Sequence, residues 1–242
     1  MPAKGDAGAL CERERGHLRA LILTGGDHPT RAALDAAWPG WSDADLVIGV
    51  DGGARAAAQL GLTLDLIVGD FDTLRAEEVD AFAAQGVRVA RSPHDKDATD
   101  TELALIAACD EGASRVEIIG ALGASGGRSD HSLGTIALLA HPRARAVDCS
   151  LLDATSRIRL LTAPARFASD ASAGAVISLI PWGGGATVST ERLRWPLQRE
   201  PLHEGSSRGL SNESLGAPFI EVHGGSLLVS EGPDLREHAQ RE

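Results

Sequence analysis

One change of rhythm divides this chain. From residue 18 to about residue 153, short apolar runs alternate with segments of helix length, and after roughly residue 155 the helical spacing gives out. The alternation constrains the fold strongly. Parallel strands need crossovers long enough to hold a helix, and a sheet built that way is covered on both faces. The runs 18–23, 46–50, 64–68, 87–90, 116–119 and 147–152 read as strands. The segments 55–60, 76–85, 101–110 and 131–140, rich in Ala, Leu and Glu, read as helices. Residues 18–154 are therefore expected to form an α/β domain with a mostly parallel sheet.

Beyond it, short strand candidates at 157–161, 175–180, 186–189, 219–222 and 226–229 are separated by Gly and Pro. Residues 155–230 read as a small antiparallel β domain. Residues 1–17 and 231–242 read as polar, flexible termini.

Composition narrows the function classes. The 242 residues are 43% hydrophobic and 24% charged, enough for a sizeable core. Lys and Arg number 23 against 34 Asp and Glu, a formal net charge of −11. That balance speaks against a nucleic-acid binder, whose affinity comes from cationic side chains displacing counterions. It leaves nucleotide substrates open, because a bound cation reverses the local sign. No run approaches the roughly 18 apolar residues of a membrane span, and the first 17 residues lack the apolar core of a secretory signal. Cys11, Cys109 and Cys149 are scattered and odd in number. They read as reduced thiols of a cytoplasmic protein.

In an open α/β sheet, ligands bind beyond the carboxyl ends of the strands, so the residues just past each run carry the chemistry. Asp51-Gly52-Gly53 follows the second run; it suits a close ligand approach, and equally a helix cap with a Gly turn. Gly69-Asp70-Phe71-Asp72-Thr73 follows the third. Asp70 and Asp72 lie on one side of an extended chain and repel unless a cation such as Mg²⁺ stands between them; a solvated turn is the bland alternative. In Lys96-Asp97-Ala98-Thr99-Asp100-Thr101-Glu102, Thr99 and Glu102 have capping-box spacing and Asp100 suits the first helical turn. Lys96 and Asp97 fall outside that account and suit a phosphate with its metal. Gly126-Gly127-Arg128-Ser129-Asp130-His131 opens a further helix. It matches neither the P-loop nor the dinucleotide spacing; glycine backbone and Arg128 together suit phosphate oxygens, while taken alone the segment reads better as a flexible loop. In the second domain, Trp195 stands out in a chain with 3% aromatic residues, either as core or as a stacking surface. Ser211 and Asn212 read as loop residues able to hydrogen-bond a heterocycle.

Six motifs in order, Asp51-Gly-Gly, Gly69-Asp-Phe-Asp-Thr, the Lys96 segment, Gly126-Gly-Arg-Ser-Asp-His, Leu193-Arg-Trp-Pro-Leu and Gly209-Leu-Ser-Asn-Glu, resemble the thiamine pyrophosphokinase family from residue 18 to about residue 229. The resemblance implies an α/β catalytic domain followed by a β-sandwich, assembled as a homodimer with shared active sites. It implies transfer of a diphosphoryl group from ATP to the hydroxyl of thiamine, giving thiamine diphosphate and AMP. It further implies Asp51, Asp70, Asp72 and Asp100 around Mg²⁺ and the ATP phosphates. Lys96 and Arg128 would counter phosphate charge, with Asp130 nearby. Trp195 would pack on the aminopyrimidine ring across the dimer interface, and Ser211 and Asn212 would form the substrate-side loop. Asp97 and Asp100 are both candidates to take the hydroxyl proton.

Three positions depart from the family pattern: Arg55 where Asn is common, Gly134-Thr135 for Ala-Asn, and Arg192 where Gly is usual. Two other readings share some of the residues. A metal-dependent nucleotidyl- or sugar-nucleotide transferase would use the Asp pair but release pyrophosphate or a nucleoside diphosphate. A non-catalytic binding module would show no turnover.

Overall fold

The computed structural model describes residues 18–122 and 129–233. The chain divides into two units, one of Met1–Ala32 with Gly40–Cys149, the other of Ala33–Pro39 with Ser150–Glu242. No helix among the described residues is long and apolar enough to cross a membrane.

The first unit opens with β1 (Arg19–Leu23), and α1 (Arg31–Ala37) follows, its residues from Ala33 onward belonging to the second unit. Next come β2 (Leu46–Val50), α2 (Ala56–Leu60), β3 (Leu66–Gly69), α3 (Ala76–Ala84), β4 (Arg88–Arg91) and α4 (Asp100–Asp110). The set ends with β5 (Arg115–Ile119), α5 (Ser129–Leu138), α6 (Pro142–Arg145) and β6 (Asp148–Leu152), within which the division falls. The strand order β5-β1-β2-β3-β4 is parallel throughout. Central strands are buried on both faces, as covered parallel strands must be: Leu21, Ile22, Leu23, Ile48, Ile67 and Ile118 are all fully buried. β4 is the edge, and its four residues Arg-Val-Ala-Arg are all exposed, a charged border that discourages pairing with another chain. Two short helices escape the sequence pattern, α1 because Leu34 is its only large buried side chain, α6 because a single turn beginning at Pro142 is too brief for periodicity.

The second unit contains β7 (Arg157–Thr162), β8 (Ala165–Ala168), β9 (Val176–Leu193), β10 (Glu200–Leu202) and β11 (Asn212–Glu231). Residue pairs along β9 and β11 run in opposite senses, Ile220 against Thr190, Val222 against Val188 and Leu228 against Ile180, which makes the pairing antiparallel. β7, β8 and β10 also pair antiparallel with their neighbours. Period-two burial along both long strands buries Ile177, Leu179, Val188, Ile220, Val222 and Leu227 in a core of this unit's own.

Four strands expected from the sequence are in fact two. The runs 175–180 and 186–189 lie on β9, bent at Gly183–Gly185, and 219–222 and 226–229 lie on β11, bent at Gly224–Gly225. The bends pass each other closely: a Cβ on Gly225 would stand 2.0 Å from the Gly185 carbonyl oxygen. Glycine therefore marks a close backbone approach here, where its spacing resembles a turn.

Glu231, expected to open a polar tail, belongs instead to β11. Glu231 ends β11 at 3% exposure, bound by the Ser169 hydroxyl at 2.5 Å and by Arg159 at 3.3 Å. Removing one partner of a buried ion pair strands the other charge. Glu231→Ala should cost about 3–5 kcal/mol of unfolding free energy, read by urea denaturation. A loss near zero would show that Arg159 finds water instead.

Candidate active site

The acidic residues gather at the carboxyl edge of the parallel sheet, where β2, β3 and β4 release the chain. Asp51 follows β2 at φ +48°, the first residue of a 3-10 turn over Asp51–Arg55. Phe71, between Asp70 and Asp72, has φ +60°. Non-glycine residues in the left-handed region cost free energy and concentrate where function holds the backbone in place. Gly53 is needed by the chain itself. A Cβ there would lie 2.4 Å from the carbonyl oxygens of Leu23 and Thr24, so the close approach expected of a ligand is made by the end of β1. Gly69 meets the site directly, since a Cβ on it would lie 3.3 Å from the Asp51 carboxylate.

Donor atoms of Asp51, Asp70 and Asp100 lie within 4.8 Å of one another, and so do those of Asp70, Asp72 and His94. Asp70 belongs to both groups. Burial pushes the Asp51 carboxyl up to about 6, aided by a hydrogen bond shared with Asp72 and by that neighbour's charge. Two carboxyl groups close enough to share a hydrogen bond need a proton or a cation between them. Asp51 Oδ1 is buried without a hydrogen-bond partner among the described residues. Asp70 is held below the ordinary carboxylate range, first by its hydrogen bond with His94 Nδ1 at 2.7 Å.

Lys96 spans the group, its Nζ 3.1 Å from Asp100 and 3.5 Å from Asp70, and also donates to the Pro93 carbonyl. Burial works against its charge, but the hydrogen bond and charge of Asp100, then those of Asp70, outweigh it and raise the lysine pKa. Asp100 is the first residue of α4, where the dipole favours an anion, and accepts from Ser92 Oγ at 2.9 Å. Thr99 caps α4 by accepting from the Glu102 amide at 3.2 Å. The expected box closes on that side alone, for the Glu102 carboxylate lies 3.7 Å from His141.

Other expected site residues stand apart. Asp97 is exposed and outside both ligand groups. Asp130 is exposed in the first turn of α5, 4.0 Å from His131, and belongs to neither group. Arg128 lies outside the described residues, as do Gly126 and Gly127. Gly134 and Thr135 sit within α5, where Thr135 Oγ1 donates to the His131 carbonyl.

In the second unit Trp195 is 49% exposed, with the Arg194 guanidinium 5.0 Å from its ring centroid, so the ring is not a core residue. Ser211 is exposed with φ +56°. Asn212 is the first residue of β11 and is buried, not a loop residue. Arg192 holds φ +56°, the left-handed region that suits glycine, so the family's usual residue fits the backbone better than arginine does. Arg192→Gly should raise stability by up to about 1 kcal/mol, measured as a shift in thermal midpoint.

Sequence reasoning missed His94, although it stands shortly past β4, on the same edge as the other ligands. It also missed the work of Arg55. That side chain forks onto Glu78 at 2.7 and 2.8 Å and donates to the Thr73 carbonyl at 2.8 Å, while Thr73 Oγ1 accepts from the Gly52 amide. The Asp51 turn and the Asp70–Thr73 turn are thus tied to each other and to α3. Glu78 is held well below the ordinary carboxylate range, chiefly by Arg55. Its contribution to stability is present above the ordinary glutamate value, about pH 4.3, and is lost as pH falls toward the depressed value. In Arg55→Ala, the Glu78 carboxyl should titrate at higher pH than in the parent, followed by carboxyl-carbon NMR. An unchanged midpoint would assign the depression to Arg75, whose amide and guanidinium also reach Glu78.

Comparison with known proteins adds to this geometry. Residues 38–151 match the thiamin pyrophosphokinase catalytic domain family, and residues 166–227 match the thiamin pyrophosphokinase vitamin B1 binding domain family. The chain is 30% identical to thiamine pyrophosphokinase 2 of Arabidopsis thaliana over 226 residues, covering 84% of this chain and 81% of that one. It is 30% identical to the Bacillus subtilis thiamine pyrophosphokinase over 172 residues, covering 69% and 78%. The crystal structure of a Bacillus subtilis thiamine pyrophosphokinase superposes with a TM-score of 0.75 at 27% identity, over 90% of this chain and 100% of that one.

Proposed function

The chain belongs to the thiamine pyrophosphokinase family, and on that premise we propose how its residues transfer the diphosphoryl group of ATP to the hydroxyl of thiamine, giving thiamine diphosphate and AMP. The carrying observation is the convergence of Asp51, Asp70 and Asp100 within 4.8 Å around the buried, unpartnered Asp51 Oδ1. An all-oxygen donor set with an orphaned carboxylate oxygen fits a hard divalent cation. Asp51, Asp70 and Asp100 would hold Mg²⁺, with Asp72 beside them. When bound, the ion offsets phosphate charge and polarises the phosphoryl oxygens under attack.

The remaining chemistry is positioning and charge. Lys96, already between two carboxylates, is placed to exchange one of them for a phosphate oxygen. Arg128 supplies a second cation to the phosphates, with Asp130 nearby. Asp100 takes the proton from the thiamine hydroxyl in this proposal; the exposed Asp97 stands outside the ligand groups. The Arg55–Glu78–Thr73 ties hold the two acidic turns while charge moves through the site. Trp195 offers the surface on which the aminopyrimidine ring stacks, with Ser211, next in the chain to the Asn212 that binds its backbone, on the substrate side. The protein acts in the cytoplasm in this reading, with Cys109 and Cys149 as free thiols. It works as a homodimer whose active sites are shared, the acids of one chain serving with Trp195 of its partner.

Incubation with ATP, Mg²⁺ and thiamine should give AMP and thiamine diphosphate in equal amounts; pyrophosphate as the released product would reject the reading. Asp70→Asn and Asp72→Asn should each lose at least about 100-fold in kcat while the fold survives. Near-parental turnover in both at limiting Mg²⁺ would remove them from the site. Mixing inactive Trp195→Asp with inactive Asp70→Asn chains tests sharing. A heterodimer carries one doubly damaged site and one intact site, so activity should return to about half the parental value per heterodimer. No recovery in proven heterodimers would confine Trp195 to its own chain's site.

A further inference from the structure

A large aromatic ring that is 49% exposed has little packing to order it, and a platform that must be in place before its ligand arrives needs another anchor. The start of β11 supplies two. The Asn212 side chain, in a residue 7% exposed, accepts through Oδ1 from the Trp195 amide at 3.1 Å and from the Glu213 amide at 2.9 Å. Its Nδ2 donates to the Trp195 carbonyl at 2.8 Å. Only one orientation of the carboxamide satisfies all three, so the group is committed to the backbone of Trp195. The second anchor is charged. Glu213 Oε2 lies 3.1 Å from Arg194 Nη1, the Arg194 amide donates to the Glu213 carbonyl at 2.9 Å, and the guanidinium sits over the Trp195 ring. A cation held on one face of an indole leaves the other face for a stacking partner.

We propose that Asn212 and Glu213 are positioning residues for thiamine, acting through Trp195: Asn212 fixes the Trp195 backbone, and Glu213, through Arg194, fixes the ring with one face closed and one open. Asn212 thereby has a different role from a direct contact with the substrate heterocycle, since its amide is already engaged. This inference rests on the reading of Trp195 as the surface on which thiamine stacks.

The experiment is steady-state kinetics of Asn212→Asp, Asn212→Ala and Glu213→Gln, each alone and combined with Trp195→Ala. Asn212→Asp keeps the shape and the acceptor but turns an oxygen toward the Trp195 carbonyl. The Asn212 variants should raise KM for thiamine about tenfold and Glu213→Gln about threefold, with kcat and KM for ATP within about twofold of the parent. On Trp195→Ala, which alone raises KM for thiamine, the same changes should add less than about twofold, because residues acting through one partner are not additive. Full additivity would overturn the inference and make Asn212 or Glu213 a direct contact. A fall in kcat at unchanged KM would overturn it as well. If Trp195→Ala leaves KM for thiamine unchanged, the platform reading fails, and this inference with it. Glu213 is partly exposed, so Glu213→Gln keeps the test decisive if the buried Asn212 variants do not fold.

Discussion

Carboxylates held close enough to share a cation repel one another when none is present, and the first unit is arranged around supporting that repulsion. Asp51, Asp70 and Asp100 come from the ends of β2 and β3 and from the start of α4, brought to one edge because all the strands run the same way. A parallel sheet delivers its chain ends to a common line, and the crossover helices leave that line uncovered. The cost appears in the site itself. The Asp51 carboxyl is pushed up to about 6, and Asp51 and Phe71 hold left-handed backbone.

What balances this is a set of ties made by residues that need not touch a substrate. Lys96 lies between Asp70 and Asp100; Arg55 joins α3 to the Thr73 carbonyl; Thr73 receives the Gly52 amide. The Arg55 departure from the family pattern becomes intelligible here, because a guanidinium fork reaches both Glu78 oxygens and a carbonyl at once. In the second unit a comparable economy surrounds Trp195. Two hydrogen bonds with one buried carboxamide hold the backbone of a half-exposed ring, and a third ties that carboxamide to the Glu213 amide.

Much of this was legible in the residues. Period and segment length identified the parallel strands of the first unit, since strands buried on both faces leave continuous apolar runs. The acidic motifs were legible because position past a strand end implies a place at the ligand edge. Less legible was anything that depends on which distant atoms meet. Glu231, polar and near a terminus, has the local signature of a tail residue, and only its long-range partners Ser169 and Arg159 make it a buried strand end. The glycines of β9 and β11 look like turns because local sequence does not distinguish a turn from a bend in a continuing strand.

By itself, then, the sequence determined the α/β and β division, the order of the acidic motifs and the family they resemble. These are local or ordered properties, carried by periodicity, spacing and residue type. Only the tertiary structure decided that His94 joins Asp70 and Asp72, that Asp97 stands outside the ligand groups, and that Asn212 faces the backbone of Trp195. The physical reason is range. A ligand set or a hydrogen bond between residues 17 or 24 positions apart depends on where folding brings two backbones together, and no local pattern encodes that distance.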